Sequence, residues 1–206
     1  MGIPKECKMP ALSGLDMPLV SRLLLQVFIG EPGMSQKAAL YRRNFVRLVD
    51  KALREHHEAR QAILAQIAEA KRPAKEMAEH GRQIFMLEFT DHMENCINAI
   101  SRLFKLLQSI KSEKNGAPAL PRRLRKLVET KNIDITKARD AVEHIDEFIQ
   151  KDKIASDEPI MLAVTENDDG VMIANYEIKF EELAMVLKKM HEIALYILTA
   201  KKIEGA

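Results

Sequence analysis

The sequence contains no Trp, only two Cys and few aromatic residues, which make up 5% of its 206 positions. The two cysteines, Cys7 and Cys96, lie far apart, so they predict neither a zinc site nor a disulfide framework. Cys96 lies within an apolar stripe, where we expect a small core residue. No apolar run reaches the length that crosses a membrane, and the first residues lack the apolar stretch of a signal peptide. We therefore expect a cytoplasmic protein that does not contact a membrane.

Acidic and basic side chains are nearly balanced, and the formal net charge is +2. Hydrophobic residues make up 47% and charged residues 30% of the chain, which favours a folded domain over a disordered one. Leu, Ile, Met and Ala supply most of the apolar content, and these residues favour helix over sheet. The chain as a whole is not a strongly cationic nucleic-acid-binding protein. Any contact with nucleic acid has to come from a local basic patch.

The spacing of apolar residues predicts two long helices in the first half of the chain. We expect Ser35 to cap the first of them and Pro73 to mark its end. A shorter helix is expected before them, from Asp16 to Phe28. In the second long helix, six apolar residues recur at intervals of three and four: Met93, Ile97, Ile100, Phe104, Leu107 and Ile110. Such a seam indicates a face that packs against the core or another helix.

The second half of the chain predicts a linker, shorter helices and a β-hairpin. Residues 112–121 are expected to form the linker because they are rich in Gly, Pro and Asn. A basic helix over 122–129 follows, and a separate helix starts at Asp134 or Thr136. Residues 160–178 show the alternation that is typical of strands, which predicts a hairpin before an amphipathic C-terminal helix.

These elements together predict one mainly α domain over residues 1–206, an antiparallel helical bundle with a small β-hairpin inserted before the last helix. Asp169 and Gly170 are expected at the hairpin turn. Because an isolated hairpin is only marginally stable, it should pack on the helices or on a partner.

The stretch "KARDAVEHIDEF" at residues 137–148 combines Arg139 with a histidine five positions later. Histidine as a residue type titrates near neutrality, so His144 is a candidate for proton transfer. Arg139 is always charged and can hold a phosphate or stabilise negative charge that develops during a reaction. Such a pair suits phosphodiester chemistry without a metal. On an unbroken helix the two side chains diverge by roughly 140° around the axis, so they would flank a groove rather than stack.

The spacing of this pair has little specificity by itself. An Arg at a similar distance before one of the six His is expected about once by chance in such a chain. An ordinary turn of a charged helix is therefore the alternative interpretation. The surrounding residues are more informative, because Asp140 follows the arginine directly and the histidine continues as "EHIDEF".

With these residues the stretch resembles the motif of HEPN-type proteins, all-α domains that are common in bacterial toxin, defence and RNA-processing systems. That motif has Arg, usually followed by Asn, Asp or His, then a few residues and His. Arg139, Asp140 and His144 match it position for position. The long antiparallel helices expected before the motif, and the single helix after it, add architectural support. The hairpin at 160–178 is not part of the general pattern and is interpreted as an insertion.

The resemblance implies a metal-independent endoribonuclease without a cofactor, or an RNA-binding relative that keeps only the fold. Two subunits would pair so that both motifs line one cleft, so a homodimer is expected. Its ligands would be RNA and a cognate antitoxin or other partner protein. His144 would act as general base or acid at a ribose 2′-hydroxyl or at the leaving oxygen. Arg139 would neutralise the phosphoryl transition state, and Asp140 would orient its neighbours.

A basic cluster opens the helix after the linker and is a second candidate site. It consists of Arg122, Arg123, Arg125 and Lys126. Its side chains either contact phosphates next to the motif or form an ordinary solvated face. A similar group on the first long helix allows the same two interpretations, and it consists of Arg42, Arg43 and Arg47.

The other histidines give little indication of a metal site. His56 and His57 are adjacent, so their side chains point about 100° apart on a helix. His92 has no second His three or four residues away. We therefore expect no bound metal. The alternative function for the whole chain is a non-enzymatic helical scaffold or protein-interaction domain, whose apolar seams pair with another subunit or protein.

Overall fold

The computed structural model describes residues 4–15, 21, 23–25, 35–112 and 120–199. This part of the chain is mainly helical and carries one three-stranded antiparallel sheet, as the sequence predicts apart from the third strand. The helices are α1 (Gln36–Ala70), α2 (Ala74–His80), α3 (Met86–Ser112), α4 (Arg122–Glu143), α5 (Ile145–Gln150) and α6 (Phe180–Thr199). The strands are β1 (Ala163–Val164), β2 (Gly170–Ile173) and β3 (Tyr176–Lys179). Of the helix predicted from Asp16 to Phe28, residues 21 and 23–25 are described and are helical, and the rest lies outside the described residues, as does most of the linker predicted at 112–121.

The helices α1 and α3 pack against each other in antiparallel orientation. Ser35 caps α1 as predicted, because its Oγ accepts a hydrogen bond from the N–H of Ala38 at 3.1 Å. Cys96 lies in α3 and its Sγ donates to the carbonyl of Ala52 at 3.4 Å. Towards the other end of the pair, the N–H of Phe85 donates to the side chain of Gln66 at 2.8 Å. Residue numbers therefore rise along one helix as they fall along the other.

The core lies on the inner face of this pair, where α4 and α6 cover it, and the sheet packs against α4 and α6. All six residues of the predicted α3 seam are buried, as is Cys96, so those predictions are confirmed. Phe89 of α3 meets Phe180 at the start of α6 edge to face, with ring centroids 6.5 Å apart. The Oγ1 of Thr90 donates to the carbonyl of Leu162 at 2.9 Å, which joins α3 to the chain that enters the sheet.

The helix α4 replaces the two separate helices that the sequence predicts over 122–129 and from Asp134 or Thr136. The segment between them contains no Pro or Gly, so nothing in the backbone ends the helix there. Val128 and Ile135 are both buried, and their separation of seven residues keeps one face of a continuous helix on the core. The basic cluster and the "RDAVEH" motif consequently share one helix.

The sheet confirms the predicted hairpin but corrects its turn and adds a third strand. β2 pairs with β1 on one side and with β3 on the other, both antiparallel. The turn between β1 and β2 lies before Gly170, at Asp168, whose φ is 59°. Gly170 is the first residue of β2 and pairs with Lys179. A Cβ on Gly170 would lie 2.6 Å from the carbonyl oxygen of Ile178, so close strand approach, and not a turn, explains the glycine.

The N-terminal segment forms hydrogen bonds with both the β1–β2 turn and α1. The backbone N–H groups of Lys5 and Glu6 donate to the Oδ2 of Asp168, at 2.9 and 3.2 Å. The Nε of Arg60 donates to the carbonyl of Met9 at 3.0 Å, and the Met9 side chain is buried. The segment therefore lies across the β1–β2 turn and along α1.

Gly170→Ala should lower the free energy of unfolding by about 2 kcal/mol, because the added methyl group meets a backbone oxygen that cannot move without breaking the β2–β3 pairing. Urea unfolding followed by circular dichroism measures this loss. Gly14→Ala is the comparison, since Gly14 has a φ of 89° and open space around it. That variant should lose only about 1 kcal/mol, from left-handed backbone strain. Equal losses at both positions would contradict the steric explanation.

Candidate functional site

Arg139 lies near the C-terminal end of α4, where two carboxylates hold its guanidinium group. Its Nη1 lies 2.9 Å from the Oδ1 of Asp140, and its Nη2 pairs with the Oε2 of Glu143. The Arg139 side chain is 23% exposed, so the group is partly covered but remains at the surface. The guanidinium is thus held in place and its charge is balanced within the chain.

His144 lies at the junction between α4 and α5. Its φ of −124° and ψ of 27° fall outside helical values, so α4 ends one residue before it. The backbone still runs on without a loop, because the His144 N–H donates to Asp140 and its carbonyl accepts from Phe148. The imidazole is 52% exposed, and its Nδ1 lies 3.4 Å from the Oε1 of Glu147.

Glu147 connects the histidine to a lysine one turn further along α5. The Nζ of Lys151 lies 2.8 Å from the Oε2 of Glu147. The hydrogen bond from Lys151, together with the nearby His144, holds the pKa of the Glu147 carboxyl below its usual range. Glu147 is therefore a carboxylate at neutral pH. A carboxylate at Nδ1 orients an imidazole and leaves Nε2 to exchange a proton with a ligand.

Acidic groups outnumber basic groups around the motif. Between residues 139 and 151 the acids are Asp140, Glu143, Asp146 and Glu147, and the bases besides His144 are Arg139 and Lys151. The arrangement can hold one arginine rigidly and transfer a proton at one exposed imidazole. It does not by itself form a strongly positive cradle for a phosphate.

The predicted basic cluster lies on the same helix as the motif but far from it. Thirteen residues separate Lys126 from Arg139, which corresponds to about 20 Å along a helix. Arg122, Arg123 and Lys126 are exposed, and the Nε of Arg125 donates to the carbonyl of Leu120 at 3.2 Å. The cluster and the motif therefore cannot hold the same phosphate group, although one extended ligand can reach both.

The remaining described histidines occupy two kinds of environment. His56 and His191 are buried, and burial lowers the pKa of both; for His56 the charge of Arg60 adds to the effect and brings the pKa to about 4. His92 is closer to the surface and its Nδ1 lies 2.8 Å from the Oε2 of Glu55, a partner on α1. Within the described ranges no group of three or more His, Cys, Asp and Glu is arranged to hold a metal ion.

Sequence reasoning missed the partners that position the motif. Glu143 lies four residues after Arg139, and Glu147 lies three residues after His144. These are the spacings at which side chains meet on a helix, so the pairs were detectable once the helix was assumed. The break at His144 carries no comparable signal, because neither Gly nor Pro occurs near it. The pairing of His92 with Glu55 joins two helices and also leaves no trace in local spacing.

No protein-family model, curated protein or solved structure gives a significant match to the chain. Functional inference therefore rests on the residues of the motif and on their geometry. Among the described residues, no helix combines the length and the apolar character that crossing a bilayer demands.

His56→Leu should flatten the dependence of stability on pH. In the folded chain His56 stays neutral down to a pKa of about 4, whereas an unfolded histidine takes up its proton near 6.5. The unfolded state therefore binds more protons within this window, and wild-type stability falls by about 3 kcal/mol as the pH drops through it. Urea unfolding at several pH values measures the slope. The control is Gln61→Leu, which places the same side chain at an exposed position of the same helix, removes no titratable group and should leave the slope unchanged. An unchanged slope in His56→Leu would show that other groups cause the acid sensitivity.

Proposed function

We propose that the chain is a HEPN-like protein that acts on RNA as a homodimer, as a metal-independent endoribonuclease or as a relative that only binds RNA. The observation that carries this proposal is the exposed His144 imidazole, held at Nδ1 by Glu147 and located just after the carboxylate-held Arg139. An exposed acid–base group beside an arginine is what cleavage of a phosphodiester by proton transfer requires.

The proposed reaction uses the ribose itself as the nucleophile. His144 Nε2 removes the proton from a 2′-hydroxyl, whose oxygen attacks the adjacent phosphorus. The bond from phosphorus to the 5′-oxygen breaks, and an acid, the imidazolium of His144 or its counterpart in the second subunit, returns a proton to that oxygen. The products are a 2′,3′-cyclic phosphate and a 5′-hydroxyl. Arg139 would stabilise the charge on the phosphoryl oxygens, and Asp140 would keep its guanidinium in place.

A second subunit would supply the second proton-transfer group that the reaction uses. One copy of the motif has a single imidazole, and its four acids outnumber its arginine and lysine, a ratio that a second copy leaves unchanged. Two motifs in one cleft would bring two Arg139 groups and two imidazoles to the same phosphate. One of these imidazoles can then act as the base and the other as the acid.

A second candidate function is a non-enzymatic helical scaffold or protein-interaction domain. Its partner would then be a cognate antitoxin or another protein. One observation favours it: the guanidinium of Arg139 already has two carboxylate partners in its own chain. In this interpretation the motif is a set of surface ion pairs that stabilises the end of α4, and His144 has no ligand.

Wild-type protein should cleave mixed RNA in the presence of EDTA, whereas His144→Ala and Arg139→Ala should each lose at least about a hundredfold in rate, as is typical for a lost acid–base or charge-stabilising group. Gel electrophoresis measures the rate, and end-labelling identifies the 5′-hydroxyl product. RNA with 2′-O-methyl groups throughout should remain intact, because its 2′-oxygens carry no proton.

Two variants serve as matched controls for that assay. His57→Ala removes an exposed histidine from α1 and Arg82→Ala removes an exposed arginine that follows α2, and both positions are far along the sequence from the motif. Both should retain the wild-type rate. The enzymatic proposal fails if carefully purified wild-type protein cleaves neither a generic nor a cognate RNA pool. Sedimentation at the assay concentration checks the dimer, and a monomer that still cleaves would remove the shared cleft.

Glu143→Gln should distinguish the two candidate functions. The change removes one negative charge and frees one side of the Arg139 guanidinium, so RNA affinity should rise severalfold if the motif contacts phosphate. Fluorescence anisotropy with a labelled RNA measures the dissociation constant. Glu58→Gln changes the charge of an exposed position on α1 by the same amount and should have no effect. A scaffold without an RNA ligand would give identical results for both variants.

A further inference from the structure

The α1–α3 pair has opposite charge at its two ends. Residues 36–54 and 98–112 form one end and contain nine Lys or Arg but a single acid, Asp50. Residues 55–70 and 86–97 form the other end and contain six Asp or Glu but a single cation, Arg60. The chain as a whole is almost neutral at +2, so this separation is invisible in its total charge.

The antiparallel register brings the cations of the two helices to the same level. Because Cys96 meets Ala52, Arg102 lies at the level of residue 46 and Lys105 at the level of Arg43. Adjacent packed helices lie about 8–10 Å apart, so the cations of both helices cluster on the surface at one end of the pair. We call this surface the basic end, and it consists of Arg43, Arg47, Lys51, Arg102 and Lys105.

The cations of the basic end have few partners of opposite charge. The one acid, Asp50, pairs with Arg54 at 3.4 Å. Arg47 donates to the side chain of Asn44 at 2.9 Å, a neutral group. The Nε of Arg43 is buried and has no hydrogen-bond partner in the described chain. Across the described ranges, Lys51, Arg102 and Lys105 take part in no salt bridge, so this surface has an unbalanced positive charge.

We propose that the basic end binds the sugar-phosphate backbone of RNA. The cations from Arg43 to Arg54 extend about 16 Å along α1, and Arg102 and Lys105 form a parallel row on α3. The half-buried Asn44 and the exposed Gln108 accompany them, and such polar groups contact phosphates and sugars alongside Arg and Lys. The surface is thus suited to follow a strand without reading its bases.

The same surface is poorly suited to a membrane. Peripheral membrane binding combines cations with exposed apolar side chains that enter the lipid. Among the large exposed apolar side chains of the described chain, Leu40 lies one turn before Arg43, and all the others lie outside residues 36–54 and 98–112, so this end presents one leucine and no apolar face. A polyanion in solution therefore matches the basic end better than a lipid surface does.

The inference rests on the proposed function in one respect, namely that RNA is the ligand. It assigns a separate role to this surface: the basic end holds the strand, whereas the acid-rich motif around Arg139 performs the chemistry. This division explains how a site with four acids retains an anionic substrate.

The test is RNA binding by a double charge reversal, Arg102→Glu with Lys105→Glu. Both residues are exposed on α3 and the core does not contain them, so the fold should persist, as circular dichroism will check. Fluorescence anisotropy with a short labelled single-stranded RNA should show affinity weakened roughly tenfold or more. The slope of log affinity against log salt should fall by about 1.4, since each lost phosphate contact removes about 0.7 on a single strand. The neutral variant Arg102→Gln with Lys105→Gln should show the same slope and a smaller loss.

A matched control has the same change in net charge elsewhere. Lys75 and Arg82 are exposed near α2, at the acidic end of the pair. Their double reversal to Glu should leave affinity within about twofold of the wild type. Equal weakening in both double variants would overturn the inference, because only overall charge would then matter. Binding to vesicles of phosphatidylserine and phosphatidylcholine but not to RNA would overturn it as well.

The failure of this inference can be told apart from the failure of the proposed function. One outcome supports the inference and refutes catalysis: the RNA binds through the basic end but is not cleaved, and His144→Ala binds it with wild-type affinity. The opposite outcome refutes the inference and supports catalysis: the Arg102→Glu, Lys105→Glu variant cleaves RNA with the wild-type rate and KM.

Discussion

The fold depends on how closely α1 and α3 approach each other. The thiol of Cys96 reaches the backbone carbonyl of Ala52, which only a small residue at that position leaves accessible. Ala59 and Ala62 continue the buried small positions along α1, so a broad apolar face forms across both helices. Two later parts of the chain use that face: Phe180 sets α6 against Phe89, and the chain entering the sheet hydrogen-bonds to α3. The loss of this contact would leave the shorter elements without a surface to cover.

The continuous α4 determines what the surface groups can do together. Because a helix is stiff, the separation between the basic cluster and Arg139 is fixed at about 20 Å. Groups that are so far apart act on different parts of a long ligand or on different ligands. The motif itself is held by local ion pairs, from Arg139 to Glu143 and from His144 to Glu147, which position its side chains without help from other elements.

The features that the sequence predicts well are those set by local chemistry. The Ser35 cap, the α3 seam and the helix–sheet order follow from hydrogen-bonding groups and periodicity within a few residues. The features it missed depend on contacts between distant segments. Gly170 was assigned to a turn because Asp-Gly favours turns, whereas its role is to let β3 approach. Likewise, the burial of Val128 and Ile135 keeps α4 a single helix. The function of Arg139 and His144 is a proposal.

The hydrogen bonds between the N-terminal segment and the β1–β2 turn affect the order of folding during synthesis. The amides of Lys5 and Glu6 bind Asp168, which is 163 residues from Lys5 in the chain. Closing so long a loop carries a large entropic cost, so this contact should form late, after the helices and the sheet have assembled. On the ribosome the first residues must wait for the turn to emerge, and Met9 stays without its buried position until then. A fusion at the N-terminus would therefore interfere mainly with the last step of folding, with less effect on the helical core.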